Sequence, residues 1–337
     1  MKYTTEKKQT IVLYILEKII AKTDSLSKVV AETFNISTNT VHTYLNELIE
    51  NGVIEKQKRG KYHLVNTRKE YTFKRSEGDL NSDTLPYDLC LEKEIKHLED
   101  NVQRIWSYGL SEMVNNVIDH SNAENMKVII FQNYLTTTVL LFDDGVGIFE
   151  KIKNHFDLPS LDEAICELFK GKLTTDEANH SGEGIFFTSK MMDDFLITSS
   201  GKIFTTSKFD DDSIIDFNNS FKGTCVLMSL SNFTHKIPKE IFDQYSDLDG
   251  SFTTTRIPLK NIFDAAPVSR SQAKRVCNRL EKFEEVILDF NGIEWMGQGF
   301  AHQIFVVFQN AHSEISIIPK NMNDSVESMY NHVVKTN

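Results

Sequence analysis

Residues 103–120 read QRIWSYGLSEMVNNVIDH, and the reading of this stretch organises the rest of the chain. Ile105, Trp106, Leu110, Met113, Val114, Val117 and Ile118 recur at helical spacing and mark one apolar face. Glu112, Asn116, Asp119 and His120 sit at offsets 0, 4, 7 and 8, so a helix gathers them into one polar stripe. A carboxylate and a carboxamide one turn apart suit a hydrated Mg²⁺ site. The amide oxygen can take an octahedral position, and the carboxylate can accept a proton from a water or hydroxyl nucleophile. The wet side of an ordinary amphipathic helix has the same look, so the stripe gains meaning only from the residues C-terminal to it.

Two strand-like runs, 126–132 and 138–142, lead into Asp143-Asp144-Gly145-Val146-Gly147-Ile148. An acid at a strand end, then two glycines around a valine, makes a tight turn with room for a flat ligand against the backbone. A third piece, Ser181-Gly182-Glu183-Gly184-Ile185-Phe186-Phe187, opens a helix reaching about residue 192. Glycines at a helix start expose backbone N–H groups to an anion. The polar stretch before it, 170–180, could close over phosphates, with Lys170 and Lys172 as candidate phosphate partners. A strand with Gly223-Thr224 comes next. No Gly-x4-Gly-Lys-Ser/Thr loop occurs, which excludes a Walker-type site.

In this order, the pieces resemble the GHKL ATPase superfamily of gyrase, heat-shock chaperones, histidine kinases and mismatch-repair ATPases, across residues 91–232. The resemblance implies a Bergerat-type α/β sandwich that binds ATP and Mg²⁺. It implies Glu112 as catalytic base, Asn116 as the Mg²⁺ ligand and Asp143 as acceptor of the adenine amine. Gly145 and Gly147 would shape the pocket, Gly182 and Gly184 would wrap the phosphates, and Thr224 would support the adenine end. The Glu-x-x-x-Asn-x-x-x-His spacing and the run 181–199 are most similar to the anti-sigma-factor serine kinases. His97 is the nearest phosphoacceptor candidate for a histidine kinase, but no phosphoacceptor helix surrounds it.

Charge separates the N-terminal region from the remainder. Residues 1–75 carry 14 Lys+Arg against 8 Asp+Glu, whereas the whole chain has a net charge of −11. Helical patterns at 9–21, 25–34 and 38–50 precede two short strands around the basic turn Lys58-Arg59-Gly60. Thr23 and Asp24 offer capping oxygens for the second helix, and Ser37 for the third. The layout resembles the winged helix-turn-helix family over residues 1–67. That implies double-stranded DNA as partner, read by Thr38, Asn39, Thr40 and Thr43 on the third helix. Lys56, Lys58, Arg59 and Lys61 would lie on phosphates or in the minor groove. A winged helix used only for protein contacts or dimerisation has the same pattern. Residues 68–90 are polar and read either as a linker or as the leading strand of the next domain.

Residues 250–337 alternate strands and helices as a small α/β module. Val286-Ile287-Leu288-Asp289-Phe290 with Gly297-Gln298-Gly299-Phe300 resembles STAS-like domains, particularly a bacterial group that follows GHKL modules. In the STAS antagonists of anti-sigma kinases a phosphorylatable serine begins this helix. Gln298 stands there, so the ordinary phospho-switch is not expected. Trp295 and Phe300 read as core or interface residues.

The fold class expected is therefore α+β and multidomain: a helix-rich winged head, a GHKL α/β sandwich and a STAS-like module. With 40% hydrophobic and 25% charged residues, collagen-like and wholly disordered classes are excluded. The longest clean apolar run near the N-terminus, 11–16, is too short for a signal peptide or a span of about 20 residues. Cys90, Cys166, Cys225 and Cys277 lack metal or redox spacing and read as reduced thiols in a cytoplasmic protein. These features together lead to an ATP-binding, DNA-binding regulator, with a homodimer expected. Two alternatives stay open: a serine/threonine kinase acting on a separate protein partner, and a non-catalytic ATP-dependent interaction protein.

Overall fold

The structure is a computed structural model and describes residues 5–58, 60–173, 182–207, 222–263 and 265–335. The chain forms two compact units. The first comprises 1–70 with 129–139 and 229–234; the second comprises 71–128, 140–228 and 235–337.

In the first unit, helices α1 (Thr5–Ile20), α2 (Leu26–Phe34) and α3 (Thr38–Glu50) precede the hairpin β1 (Ile54–Lys58) and β2 (Lys61–Leu64). Ile11, Ile15, Leu16, Val30, Val41, Leu45, Ile54 and Leu64 meet in one core, as the helical spacing of the apolar residues requires. Ser37 caps α3 by accepting from the Thr40 N–H at 3.1 Å. The second helix is not capped as expected. Ser25 takes the N-cap position in a left-handed conformation without a side-chain cap, and Asp24 pairs with Lys61 at 2.6 Å instead. The hairpin is antiparallel, with Ile54 opposite Leu64 and a bulge between Lys56 and Lys58. Tyr134 and Leu135 pack against the same core, and Gln9 donates to the Tyr134 hydroxyl.

The largest sheet among the described residues has six strands in the order β3-β4-β5-β8-β6-β7. These are β3 (Thr67–Lys74), β4 (Asn125–Gln132), β5 (Thr136–Asp143), β6 (Asp194–Ser199), β7 (Lys202–Thr205) and β8 (Thr224–Ser231). Of the two expectations for 68–90, a leading strand forms over its first part only: β3 edges this sheet, and short helical turns follow at Asp79–Asn81 and Tyr87–Leu91. The short helix α4 (Glu92–Ile95) precedes α5 (Asp100–Asn115), which continues as a π-helical turn, Asn116–Ser121. Ile105, Trp106, Leu110, Met113, Val114 and Val117 are buried along it. Helices α6 (Ile148–His155), α7 (Leu161–Lys170) and α8 (Gly184–Met191) come after β5. Gly109 brings α5 close to α8: a Cβ there would lie 2.7 Å from Met192 Cε.

After α9 (Pro238–Asp243), the C-terminal module builds a parallel sheet in the order β11-β10-β9. Its strands are β9 (Thr254–Pro258), β10 (Glu285–Asp289) and β11 (Ser316–Lys320). Parallel neighbours need crossovers, supplied by α10 (Arg270–Cys277) and α11 (Gln298–His302), the latter extended by π-helical turns; α12 (Asp324–Lys335) closes the module. Ser269 and Gln272 form a capping box on α10. The helix ends at Cys277; Arg279 just beyond it is left-handed, and the Asn278 carbonyl is taken by Lys170. Phe300 is buried and Trp295 is 48% exposed. All four cysteines are free and buried, with burial pushing Cys90, Cys225 and Cys277 up to about 12 and Cys166 to about 11.

Candidate functional site

Three chain segments meet backbone to backbone beyond the end of β5. The Asp143 carboxylate is 6% exposed and accepts from the Gly145 N–H at 2.8 Å. Thr224 hydrogen-bonds to it as well, and the Thr224 hydroxyl accepts from the Ile148 N–H at 3.1 Å. Val146 N–H donates to the Ser121 carbonyl at 2.9 Å, which ties the turn to the end of the α5 stretch. Only glycine fits at two places here. A Cβ on Gly145 would stand 2.2 Å from the Ser121 oxygen, and one on Gly223, at φ 102°, would stand 2.1 Å from the Asp143 oxygen. Burial pushes the Asp143 carboxyl up to about 6, against the lowering by its bonds from Gly145 and Thr224.

At the other end, α8 starts against the polar stripe of α5. A Cβ on Gly184 would lie 2.0 Å from Glu112 Oε2, so the glycine makes room for the carboxylate at the first turn of α8. Asn116 Nδ2 donates to the Glu112 carbonyl at 2.9 Å, which leaves Oδ1 as the acceptor of that amide. Gly182 is left-handed and lies against the Leu173 backbone, whose N–H donates to the Gly182 carbonyl at 3.1 Å.

Between these ends lies a cavity of about 300 Å³. Glu112, Asn116, Asp143, Gly147, Gly182, Gly184 and Thr224 all line it, with Leu141, Ile148, Leu168, Ile197 and Val226 as apolar wall. Gly145 supports the turn behind Asp143 and is not on the wall. The size and lining suit a small molecule with one flat apolar part and a few fixed polar contacts. Sequence reasoning missed Lys151. It lines the cavity from α6, donates to the His120 carbonyl at 2.6 Å, and has its pKa lowered by burial. The signal was present, since Ile148, Lys151 and Ile152 share one face of a short helix.

Lys170 and Lys172 are not phosphate partners. Lys170 is 1% exposed and pairs with Glu167 at 2.7 Å, while Lys172 donates to the Lys282 carbonyl at 2.8 Å. Of the expected phosphate-closing stretch and the Gly-Glu-Gly run, residues 174–181 lie outside the described residues. Among the described residues no group of three or more His, Cys, Asp or Glu could hold a metal ion. Asn116, with its amide oxygen left as an acceptor, fits a Mg²⁺ brought in on a phosphate rather than one held by a protein cage.

On the first unit, Thr38, Asn39 and Thr43 are exposed along α3 and Thr40 is half-buried beside Ser37. Lys56 and Lys58 are exposed on β1, and Lys61 is paired with Asp24. Arg59 lies outside the described residues. Glu47, the first acid along the same helix, pairs with Lys8 at 2.6 Å.

A model of a STAS-like domain of unknown function (DUF4325) matches residues 272–327, from α10 into α12. No curated protein matches the chain. Gln298 is exposed at the first position of α11 within the matched region. No helix among the described residues is long and apolar enough to cross a membrane.

Proposed function

We propose that this chain is an ATP-binding, DNA-binding regulator in which a GHKL-type site and a winged-helix head act together. The observation that carries the reading is the arrival of Glu112, Asn116, Asp143, Gly182, Gly184 and Thr224, drawn from five separate elements and turns, on one cavity. A buried acceptor at one end, Asp143, suits the exocyclic amine of a purine. The apolar side chains Ile148, Ile197 and Val226 suit its ring faces. Gly184 at the start of α8 and Gly182 just before it suit phosphates through their backbone N–H groups, and Glu112, beside Gly184, suits a general base.

The head supports the second half of the reading. Its exposed short hydrogen-bonding side chains on α3 suit base edges, and Lys56 and Lys58 suit phosphates. Regulation requires that ATP bind two conformations unequally.

Calorimetry and a melting scan with Mg-ATP test the nucleotide site: heat of binding and a raised melting temperature are expected, and neither appearing defeats it. A gel shift with genomic fragments, run with and without Mg-ATP, tests coupling. Identical shifts remove the regulatory claim while leaving nucleotide binding in place. With Glu112→Ala, ATP binding is expected to persist and phosphate release to stop.

A further inference from the structure

Helix α7 is one wall of the cavity on one side and the seat of a buried ion cluster on the other. Leu168, with Gly171 and Leu173 just beyond the helix, faces the cavity. Lys170 instead pairs with Glu167 and donates to the carbonyls of Arg275 at 3.1 Å and Asn278 at 2.5 Å in the C-terminal module. Glu167 receives Asn278 Nδ2 at 3.2 Å and faces Arg279 Nε at 3.5 Å, and Glu163 faces Arg275 Nε at 3.5 Å. The Arg279 guanidinium also lies 4.1 Å from the centre of the Phe156 ring, beside α6, whose Ile148, Lys151 and Ile152 line the cavity. Just past α7, Lys172 donates to the Lys282 carbonyl and lies over the Phe252 and Phe283 rings. The module therefore holds two of the helices that wall the cavity, α6 and α7, without itself lining it.

The chemistry of this contact says what it is for. Buried ion clusters often stabilise no more than apolar packing of the same volume, but breaking one is strongly destabilising, since a lost partner leaves a charge stranded. Lys170 and Glu167 are 1% and 4% exposed at their side chains, and Lys170 must reach two carbonyls where α10 ends. A register shift of α7 breaks all of these bonds together, and the same shift moves Leu168 and Gly171 in the cavity wall.

We infer that the C-terminal module is a built-in positioning element for the cavity, with Lys170 and Arg279 as the positioning residues that link the module to ligand binding through α7. By linkage, a ligand in the cavity then tightens the module as much as the module tightens the ligand. The inference leans on the nucleotide reading only for its probe.

The test uses the full chain, hydrogen exchange read by mass spectrometry, and Mg²⁺ with a non-hydrolysable ATP analogue. Without the analogue, Arg279→Ala should speed exchange across 161–173 and leave α1 to α3 unchanged. With the analogue, wild type should gain protection at 275–282, none of which lines the cavity. Arg279→Ala should lose that gain and bind the analogue about ten-fold more weakly, and Arg279→Lys should recover part of both. Unaltered exchange at 161–173 in Arg279→Ala, or equal ligand protection of 275–282 in both proteins, overturns the inference. If wild type does not bind the analogue, the nucleotide reading fails by itself, and the ligand-free comparison still decides the clamp. Should Arg279→Ala not fold, Lys172→Met removes a peripheral contact of the same clamp and is judged by the same readouts.

Discussion

The head and the cavity present their candidate contacts in opposite ways. In the head, polar side chains stand on the outside of a core they do not help to form: Thr38, Asn39, Lys56 and Lys58 are exposed above Val41, Leu45 and Ile54. In the cavity, the backbone itself makes the site. Gly145, Gly182, Gly184 and Gly223 stand where any Cβ would fall within 2.0–2.5 Å of another atom, whereas Gly52 and Gly60 in the head meet nothing within 4 Å. The contacts proposed for binding can therefore be altered without touching stability in the head, whereas in the cavity any change to them changes stability as well.

The strongest way to break that contrast is Gly223→Ala. The added methyl collides with the Asp143 carbonyl and the residue is held at φ 102°, so a loss on the order of 3 kcal/mol is expected, read as a fall in melting temperature. A melt indistinguishable from wild type would show that the three segments yield easily. Next comes Asp143→Asn: on the proposed nucleotide reading, calorimetry should show ATP binding weakened by roughly ten- to a hundred-fold, because a charged acceptor is lost.

The same variant sharpens the comparison through pH. The folded Asp143 carboxyl is raised from 3.8 to about 6. Between those values the folded state holds the proton more tightly than the unfolded chain. Its contribution to stability is thus full below the lower value, declines as pH rises, and has become a cost above about 6. Asp143→Asn removes this decline, so at pH 7 the variant should be more stable than wild type by on the order of 1–3 kcal/mol while binding less ATP. Denaturant melts at pH 4 and pH 7 check the difference.

In the head, on the proposed DNA-binding reading, Lys56→Ala with Lys58→Ala should lower DNA affinity and reduce the salt slope by about 2, with no change in melting. A lowered melting temperature would mean that these side chains support the fold after all. The smallest effect is expected for Gly60→Ala, which carries only the cost of the left-handed backbone, about 1 kcal/mol.

Legibility in the sequence divides along the same line. Apolar spacing and a serine cap determine α3 almost alone, and its predicted bounds are those observed, Thr38–Glu50. The turn at Asp143 was legible because an acid followed by alternating glycines leaves few backbone solutions. The role of Lys170 was not. Its partners, the carbonyls of Arg275 and Asn278, are more than a hundred positions away, and a lysine at the end of a helix looks the same whether it faces phosphate or a buried carboxylate. Asp24 failed as a cap for a related reason, since Lys61 competes for its carboxylate from a distant hairpin. Lys151 escaped notice because the glycine pattern draws attention to the turn rather than to the helix that leaves it.

The burial of all four thiols has a practical consequence. With their protonated forms favoured to about pH 11 or 12, they should stay silent toward maleimides at neutral pH. A single cysteine introduced at exposed Lys58 or Gln298 would then accept one fluorophore cleanly, without first stripping the native sulfur from the protein.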